Sequence, residues 1–220
     1  MRLSDFTDER GKRVVFLNNC LLNQLSRGPG VAFRKAASTE LVRILLDNEV
    51  SIQQLPCLEC MGFGGVSRKT IDPYFPILSH SLKHGWYPFF QLLSKVRLAL
   101  YGRLCKREAV KVADRMADYI AGGFTILGVV GINDSPTCGV TRTTNLIEFT
   151  RLMAVAGETG KNPKDIGFEI LEDGTSYFIG ALKKELKKRA LGVQVIGYEP
   201  WTESHEEEAE RVAKLLGLQL

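Results

Sequence analysis

The chain alternates short, uninterrupted apolar runs with longer segments in which apolar residues recur every three or four positions. Such short runs are typical of buried strands, and they predict strands at about residues 13–18, 51–56, 124–130 and 192–197. The helical spacing predicts helices at about residues 38–47, 89–121, 176–190 and 203–216. We therefore predict an α/β fold with a single doubly wound, Rossmann-like, mostly parallel sheet flanked by helices.

One α/β domain over residues 1–220 is the simplest organisation for a chain of this length. An excursion at about residues 66–100, rich in proline and aromatic residues, interrupts the alternation and is typical of a lid or binding loop. It could equally be a patch that covers the core or a dimer contact. The helix over residues 89–121 is expected to break near Gly102, and residues 166–171 are interpreted as a short strand or an edge.

Composition and charge narrow the class of protein. The chain is 45% hydrophobic and 25% charged, with a net charge of +4, which is typical of a globular domain. The basic residues form no single stripe, so no dedicated nucleic-acid groove is evident, while an anionic small molecule fits. No signal peptide is recognisable, and no apolar run approaches the roughly 18 residues that span a bilayer. We expect a cytoplasmic protein with no membrane partner.

Three of the five cysteines follow predicted strands. Cys20 comes after the first strand, Cys57 after the second, and Cys138 after the long central one. Because ligands of open parallel sheets bind beyond the carboxyl ends of the strands, these thiols are expected to meet at one edge. Cys105 lies within a helical apolar pattern, so we interpret it as a small buried hydrophobe.

Three thiolates with an open position suit a catalytic zinc ion or a [4Fe–4S] cluster with one free iron. Cys60, three positions after Cys57, could instead supply a fourth ligand and close the site. His80 and His84 share the spacing of a helix face, but with no third ligand nearby we interpret them as a solvated pair.

Three segments of the chain resemble, in order and context, the motifs of the thiouracil desulfurase family and its related desulfidases. They are the Cys20–Gln24 segment (CLLNQ), residues 56–59 (PCLE) with the Gly64–Gly65 pair behind them, and residues 131–138 (GINDSPTC). The resemblance covers roughly residues 13–150, and its most specific element is the Ser-Pro-Thr-Cys sequence. The chain departs from the family in having Cys-Leu-Glu in place of Cys-Pro-Glu, an extra thiol at Cys60 and a longer excursion.

The resemblance implies a [4Fe–4S] cluster held by Cys20, Cys57 and Cys138. It also implies that Glu59 and Ser135 assist when the free iron takes sulfur from a small thiolated substrate, with a thio-nucleobase or its nucleoside as candidates. Independently of the family, a soft iron binds thiocarbonyl sulfur well, and a nearby carboxylate can activate water.

Two other interpretations stay open. The first is a non-catalytic zinc or iron–sulfur redox sensor with a closed four-cysteine site. The second is a nucleotide-binding module with incidental thiols. Three arginines, Arg27, Arg68 and Arg142, could reach an anionic group such as a phosphate, although each has the ordinary alternative of a surface cation.

Overall fold

A computed structural model describes residues 9–159 and 163–220. The strands in this part of the chain are β1 (Arg13–Leu17), β2 (Ser51–Gln54), β3 (Thr125–Ile132), β4 (Arg142–Thr144), β5 (Leu171–Asp173) and β6 (Val195–Tyr198). The α-helices are α1 (Asn19–Leu22), α2 (Thr39–Asp47), α3 (Leu58–Phe63), α4 (Tyr74–Lys83), α5 (Tyr87–Ala121), α6 (Leu146–Thr159), α7 (Pro163–Glu169), α8 (Tyr177–Lys188) and α9 (His205–Leu215).

Four parallel strands form the central sheet in the order β2-β1-β3-β6. Strands β4 and β5 form a separate antiparallel pair. Helices pack on both faces of the four-stranded sheet, which confirms the predicted doubly wound, Rossmann-like α/β fold. Within the described ranges, no helix is both long enough and apolar enough to cross a membrane.

Successive side chains of β1 point to opposite faces of the sheet, so they pack in two different apolar layers. Val14 and Phe16 pack in the layer that contains residues of α5 and α8. Val15 and Leu17 pack in the opposite layer, with residues of α2 and α9. Burying a side chain of this size contributes roughly 1.5–3 kcal/mol, so β1 is held from both faces.

Helix α5 runs unbroken from Tyr87 to Ala121, so the predicted break near Gly102 is wrong. The space where a Cβ of Gly102 would lie is bordered by Tyr177 at 3.8 Å, and α5 packs along α8. A glycine inside a helix costs only about 1 kcal/mol relative to alanine. Packing against a neighbouring helix is enough to offset that cost.

The strand predicted at residues 166–171 is also wrong for most of its length. Residues up to Glu169 belong to α7, and a strand begins only at Leu171. Pro163 at the start of the helix and Asp165 in its first turn are a favourable helix beginning. A short apolar run does not by itself distinguish a strand from one turn of buried helix.

The direction of chain progression in the central sheet reverses between β1 and β3. From β1 the chain adds β2 on one side, and it then adds β3 on the other side. A crevice opens beyond the carboxyl ends of strands at such a reversal, and it is the usual place for a ligand. Cys20, in α1, lies directly after β1, and Cys138 lies in the loop after β3.

Candidate functional site

A cavity of about 390 Å³ lies beyond the carboxyl ends of these strands. The five side chains singled out from the sequence all line it: Cys20, Cys57, Glu59, Ser135 and Cys138. The two remaining cysteines, Cys60 and Cys105, do not line it. Cys105, a residue of α5, is fully buried in the core, as predicted.

The loop that carries Cys138, residues 133–141, is held by the buried side chain of Asn133. Its Oδ1 accepts hydrogen bonds from the backbone N–H groups of Val140 and Thr141, both at 3.1 Å. Its Nδ2 donates to Thr141 Oγ1 at 2.9 Å and to Glu199 Oε1 at 2.5 Å. One amide group thus ties both ends of this Cys138 loop together.

Ser135 holds the same loop from within. Its Oγ accepts hydrogen bonds from the backbone N–H groups of Thr137 at 3.3 Å and Cys138 at 3.1 Å. Thr137 in turn shares a hydrogen bond of 2.5 Å with the buried hydroxyl of Tyr101, and burial raises the pKa of Tyr101 well above its ordinary value. The backbone at Cys138 is therefore fixed before any ligand binds.

Two glycines allow this loop to pack closely. A Cβ on Gly139 would lie 2.1 Å from the carbonyl oxygen of Arg142 and 2.7 Å from that of Ser135. A Cβ on Gly131 would lie 2.6 Å from the carbonyl oxygen of Cys138. Backbone atoms cannot move aside as a flexible side chain can, so these positions require glycine.

The second thiol belongs to the Cys57 segment, residues 57–68, which contains α3 and the turn behind it. Cys57 immediately precedes α3, and Glu59 lies in its first turn. Gly64 and Gly65 have φ values of +87° and +81°, which only glycine adopts without strain. They reverse the chain and bring Arg68 back against the helix.

The carboxylate of Glu59 is held between Ser135 and Arg68. Ser135 Oγ donates a long hydrogen bond of 3.5 Å to Glu59 Oε1, and Arg68 Nη2 lies 3.3 Å from Oε2. These contacts connect the Cys57 segment to the Cys138 loop. Because both carboxylate oxygens have partners, Glu59 is oriented at the cavity wall.

Cys60 lies beside Cys57, and both thiols approach the carbonyl oxygen of Ser26, Cys57 Sγ at 3.9 Å and Cys60 Sγ at 3.5 Å. Arg68 Nη1 donates a hydrogen bond of 3.0 Å to Cys60 Sγ, and Arg68 Nη2 donates to the Ser26 carbonyl oxygen at 2.6 Å. Arg68 lines the cavity and holds Cys60, which does not line it.

The three cavity-lining thiols are protonated at neutral pH in the absence of a ligand. Burial raises the pKa of Cys20 to about 11 and the pKa of Cys57 to about 12. It raises the pKa of Cys138 well above its ordinary value, and the nearby Cys20 thiol acts in the same direction. Asn18 Nδ2 donates to Cys20 Sγ at 3.3 Å. Binding of a metal would therefore release protons, because thiolates are the ligands.

Whether these residues suit an iron–sulfur cluster depends on donor chemistry and spacing. The donors that converge are thiols, which are the ordinary ligands of such clusters. Within residues 9–159 and 163–220, no group of three or more His, Cys, Asp or Glu side chains is placed to hold a metal ion. Thiols that bind three different irons of a cluster lie farther apart than ligands of one ion. The three thiols match the ligand type of such a cluster, and their role as ligands stays a prediction.

The three arginines considered as anion ligands all have protein partners. Arg142 pairs with Asp134 at 2.9 Å and with Glu199 at 2.8 Å, so it braces the Cys138 loop. Arg68 holds Glu59 and Cys60. Arg27 lies on the cavity wall, where its Nε donates to a backbone carbonyl at 2.6 Å and its guanidinium group lies 5.6 Å from the Trp201 ring centroid.

His80, on α4, and His84, which follows α4, have ring centroids 4.2 Å apart, and neither lines the cavity. Sequence reasoning gave no role to Asn133, although it is the first residue after β3 and its side chain organises the Cys138 loop. A buried amide directly after a central strand was the available signal. Helices α6 and α7 also contribute apolar side chains to the cavity wall, a role that the sequence pattern did not indicate.

No protein-family model matches the chain, and no solved structure matches it significantly. An uncharacterized protein of the archaeon Methanocaldococcus jannaschii is 26% identical to it over 188 residues. The aligned region covers 81% of this chain and 99% of that protein. The similarity therefore extends over nearly the whole length of the archaeal protein, whose own function is not described.

Proposed function

We propose that the protein is an iron–sulfur-cluster-dependent desulfidase. It removes sulfur from a small thiolated compound, such as a thio-nucleobase or its nucleoside, and releases sulfide. Cys20, Cys57 and Cys138 hold the [4Fe–4S] cluster, and Glu59 and Ser135 assist the reaction. The observation that carries the proposal is that these five side chains, from three separate segments, line one cavity.

The reaction exchanges a C=S bond for a C=O bond, consumes one water molecule and transfers no net electrons. A cluster held by Cys20, Cys57 and Cys138 would supply an iron with an open position, a Lewis acid suited to the substrate sulfur. Glu59 accepts a proton from the water that attacks the carbon. Ser135 and Arg68 keep the two carboxylate oxygens in place.

The test is anaerobic purification followed by analysis of iron and acid-labile sulfide. We expect both to be bound, and we expect incubation with 2-thiouracil and related thiolated pyrimidines to release sulfide and the corresponding oxo compound. Cys20→Ser protein, purified in parallel, is the control that separates bound cluster from contaminating iron. A wild-type protein without iron would contradict the proposal.

A closed four-cysteine sensor is less well supported because of Cys60. Its thiol does not line the cavity and is held by Arg68, so it would have to leave Arg68 before it could join the other three. Stoichiometric zinc in anaerobically purified protein, lost on Cys60→Ser substitution, would favour the sensor.

A further inference from the structure

We propose that the cavity is built for a thiolated compound whose body is uncharged and carries an apolar substituent. This inference rests on the proposed function for the position of the sulfur. It adds the chemical class of the rest of the substrate. The cavity of about 390 Å³ would hold both the cluster and the substrate, so the substrate is a small molecule.

Much of the cavity wall away from the thiols is apolar. It comes from α4, α5, α6 and α7 and from the residues after β6, and it includes Phe75, Leu98, Phe149, Met153, Phe168 and Trp201. Helix α4 packs against α6, and α6 packs against α7, so these elements form a continuous wall.

Several of these apolar side chains are incompletely covered by the protein. Phe75, Leu98, Phe149 and Met153 are half-buried, and 42% of Phe168 is exposed. An apolar substituent in the cavity would remove part of this surface from water, which is favourable in proportion to the area covered.

The charges of the wall argue against a phosphate-bearing substrate. Three arginines line the cavity, and so do three carboxylates, Glu59, Asp72 and Asp134. The third arginine, Arg97, donates to the backbone and side-chain oxygens of Thr70 at 3.0 and 2.9 Å. Arg27 and Arg68 are engaged as described above. Each lining arginine therefore already has a protein acceptor.

The excursion contributes directly to this wall. Ile71, Tyr74 and Phe75 come from its first part, and Leu98 from its end. Arg97 lies 4.7 Å from the ring centroid of Tyr74 and 6.0 Å from that of Phe63. The segment that distinguishes this chain from the family it resembles thus shapes the part of the cavity that would contact the substituent.

Binding of analogues in which oxygen replaces the substrate sulfur can be measured without turnover, because these compounds carry no sulfur to release. Isothermal titration calorimetry on anaerobically purified protein compares uracil with 6-propyluracil, and uridine with uridine 5′-monophosphate. We expect 6-propyluracil to bind roughly 10- to 50-fold more tightly than uracil, as expected for three buried carbons. We expect the monophosphate to bind no more tightly than uridine.

Met153→Trp narrows the apolar part of the cavity and should lower the preference for 6-propyluracil at least fivefold while uracil affinity is retained. Leu100→Trp, at an exposed position of α5 outside the cavity, is the matched control and should keep the preference. Using the ratio of two affinities within one protein removes the effect of a partly unfolded sample.

Equal affinities for uracil and 6-propyluracil, undetectable binding of 6-propyluracil, or tighter binding of the monophosphate would each overturn the inference. These outcomes are independent of iron content. A protein that lacks iron but prefers 6-propyluracil would refute the desulfidase proposal and leave the apolar cavity in place.

Discussion

The Cys138 loop and the Cys57 segment each deliver a thiol to the same cavity, but they are held in different ways. The Cys138 loop is organised within a few residues, by Asn133, Ser135 and a close approach at Gly139. The Cys57 segment depends on Arg68, which contacts Ser26 at a separation of 42 positions. The Cys138 loop thus combines hydrogen bonds within itself with long-range contacts to Tyr101 and Glu199, whereas Arg68 connects the Cys57 segment to Ser26.

This difference predicts that the Cys138 loop is rigid and that the orientation of Glu59 can change. Substitutions in the Cys138 loop should affect folding and ligand binding together. The hydrogen bonds of the loop are buried, and a side chain at Gly139 would collide with backbone atoms. Substitutions at Arg68 should change the orientation of Glu59 while the sheet and the three ligand thiols remain in place. The following predictions test that division, beginning with the largest effect.

Replacing a ligand thiol is expected to have the largest effect. Cys57→Ser and Cys138→Ser should each lose the cluster and all sulfide release, since serine is a poor ligand for iron in such clusters. Cys60→Ser should keep both, because Cys60 lies outside the cavity. Iron and sulfide analysis on anaerobic samples measures the outcome.

Cys105→Ala is the control for this series. It should keep its iron and lose only packing stability, about 1 kcal/mol by urea unfolding. Loss of iron from Cys60→Ser, together with full activity of Glu59→Gln, would mean that the closed four-cysteine site is correct.

Glu59→Gln should have the next largest effect. It keeps the shape of the side chain but cannot accept the proton, and removal of a general base costs on the order of 10²–10⁴ in rate. Steady-state sulfide release should fall by this factor while iron content is unchanged. Glu206→Gln, on the first turn of α9, is a matched control outside the cavity and should behave like the wild type. Unaltered turnover of Glu59→Gln would remove Glu59 from the reaction.

Gly139→Ala tests the rigidity of the Cys138 loop. The added Cβ would collide with two backbone carbonyl oxygens, and overpacking of this kind typically costs about 1–3 kcal/mol. We expect a lower free energy of unfolding in urea and a lower iron content in the same samples. Gly192→Ala is the control, because nothing lies within 4 Å of its Cβ position. Equal behaviour of the two variants would show that the loop is more adaptable than its contacts suggest.

Arg68→Lys tests the long-range contact. Lysine keeps the charge but cannot engage Ser26, Glu59 and Cys60 at once, as the planar guanidinium does. We expect kcat to fall roughly 10-fold, the equivalent of losing one hydrogen bond to a charged group, with KM and iron content retained. Arg189→Lys is the control, because Arg189 pairs with Asp114 outside the cavity, and it should leave kcat unchanged. Loss of iron from Arg68→Lys would show that Arg68 positions a ligand thiol and not only Glu59.

The sequence by itself determined the sheet, its flanking helices and the edge at which Cys20, Cys57 and Cys138 meet. These features follow from apolar periodicity and from the rule that parallel strands deliver their carboxyl ends to one side. The burial of Cys105 followed from its neighbours in the helical pattern. The roles of the cluster ligands and of Glu59 and Ser135 stay predictions.

Tertiary structure decided which partners these side chains have. It placed Cys60 against Arg68, paired Arg142 with Asp134 and Glu199, and kept α5 continuous through Gly102. No sequence pattern indicates these outcomes, because a thiol or a guanidinium group acquires its partners only when the chain folds. The apolar cavity wall has the same origin, since residues of α4, α5, α6 and α7 come together only in the folded protein.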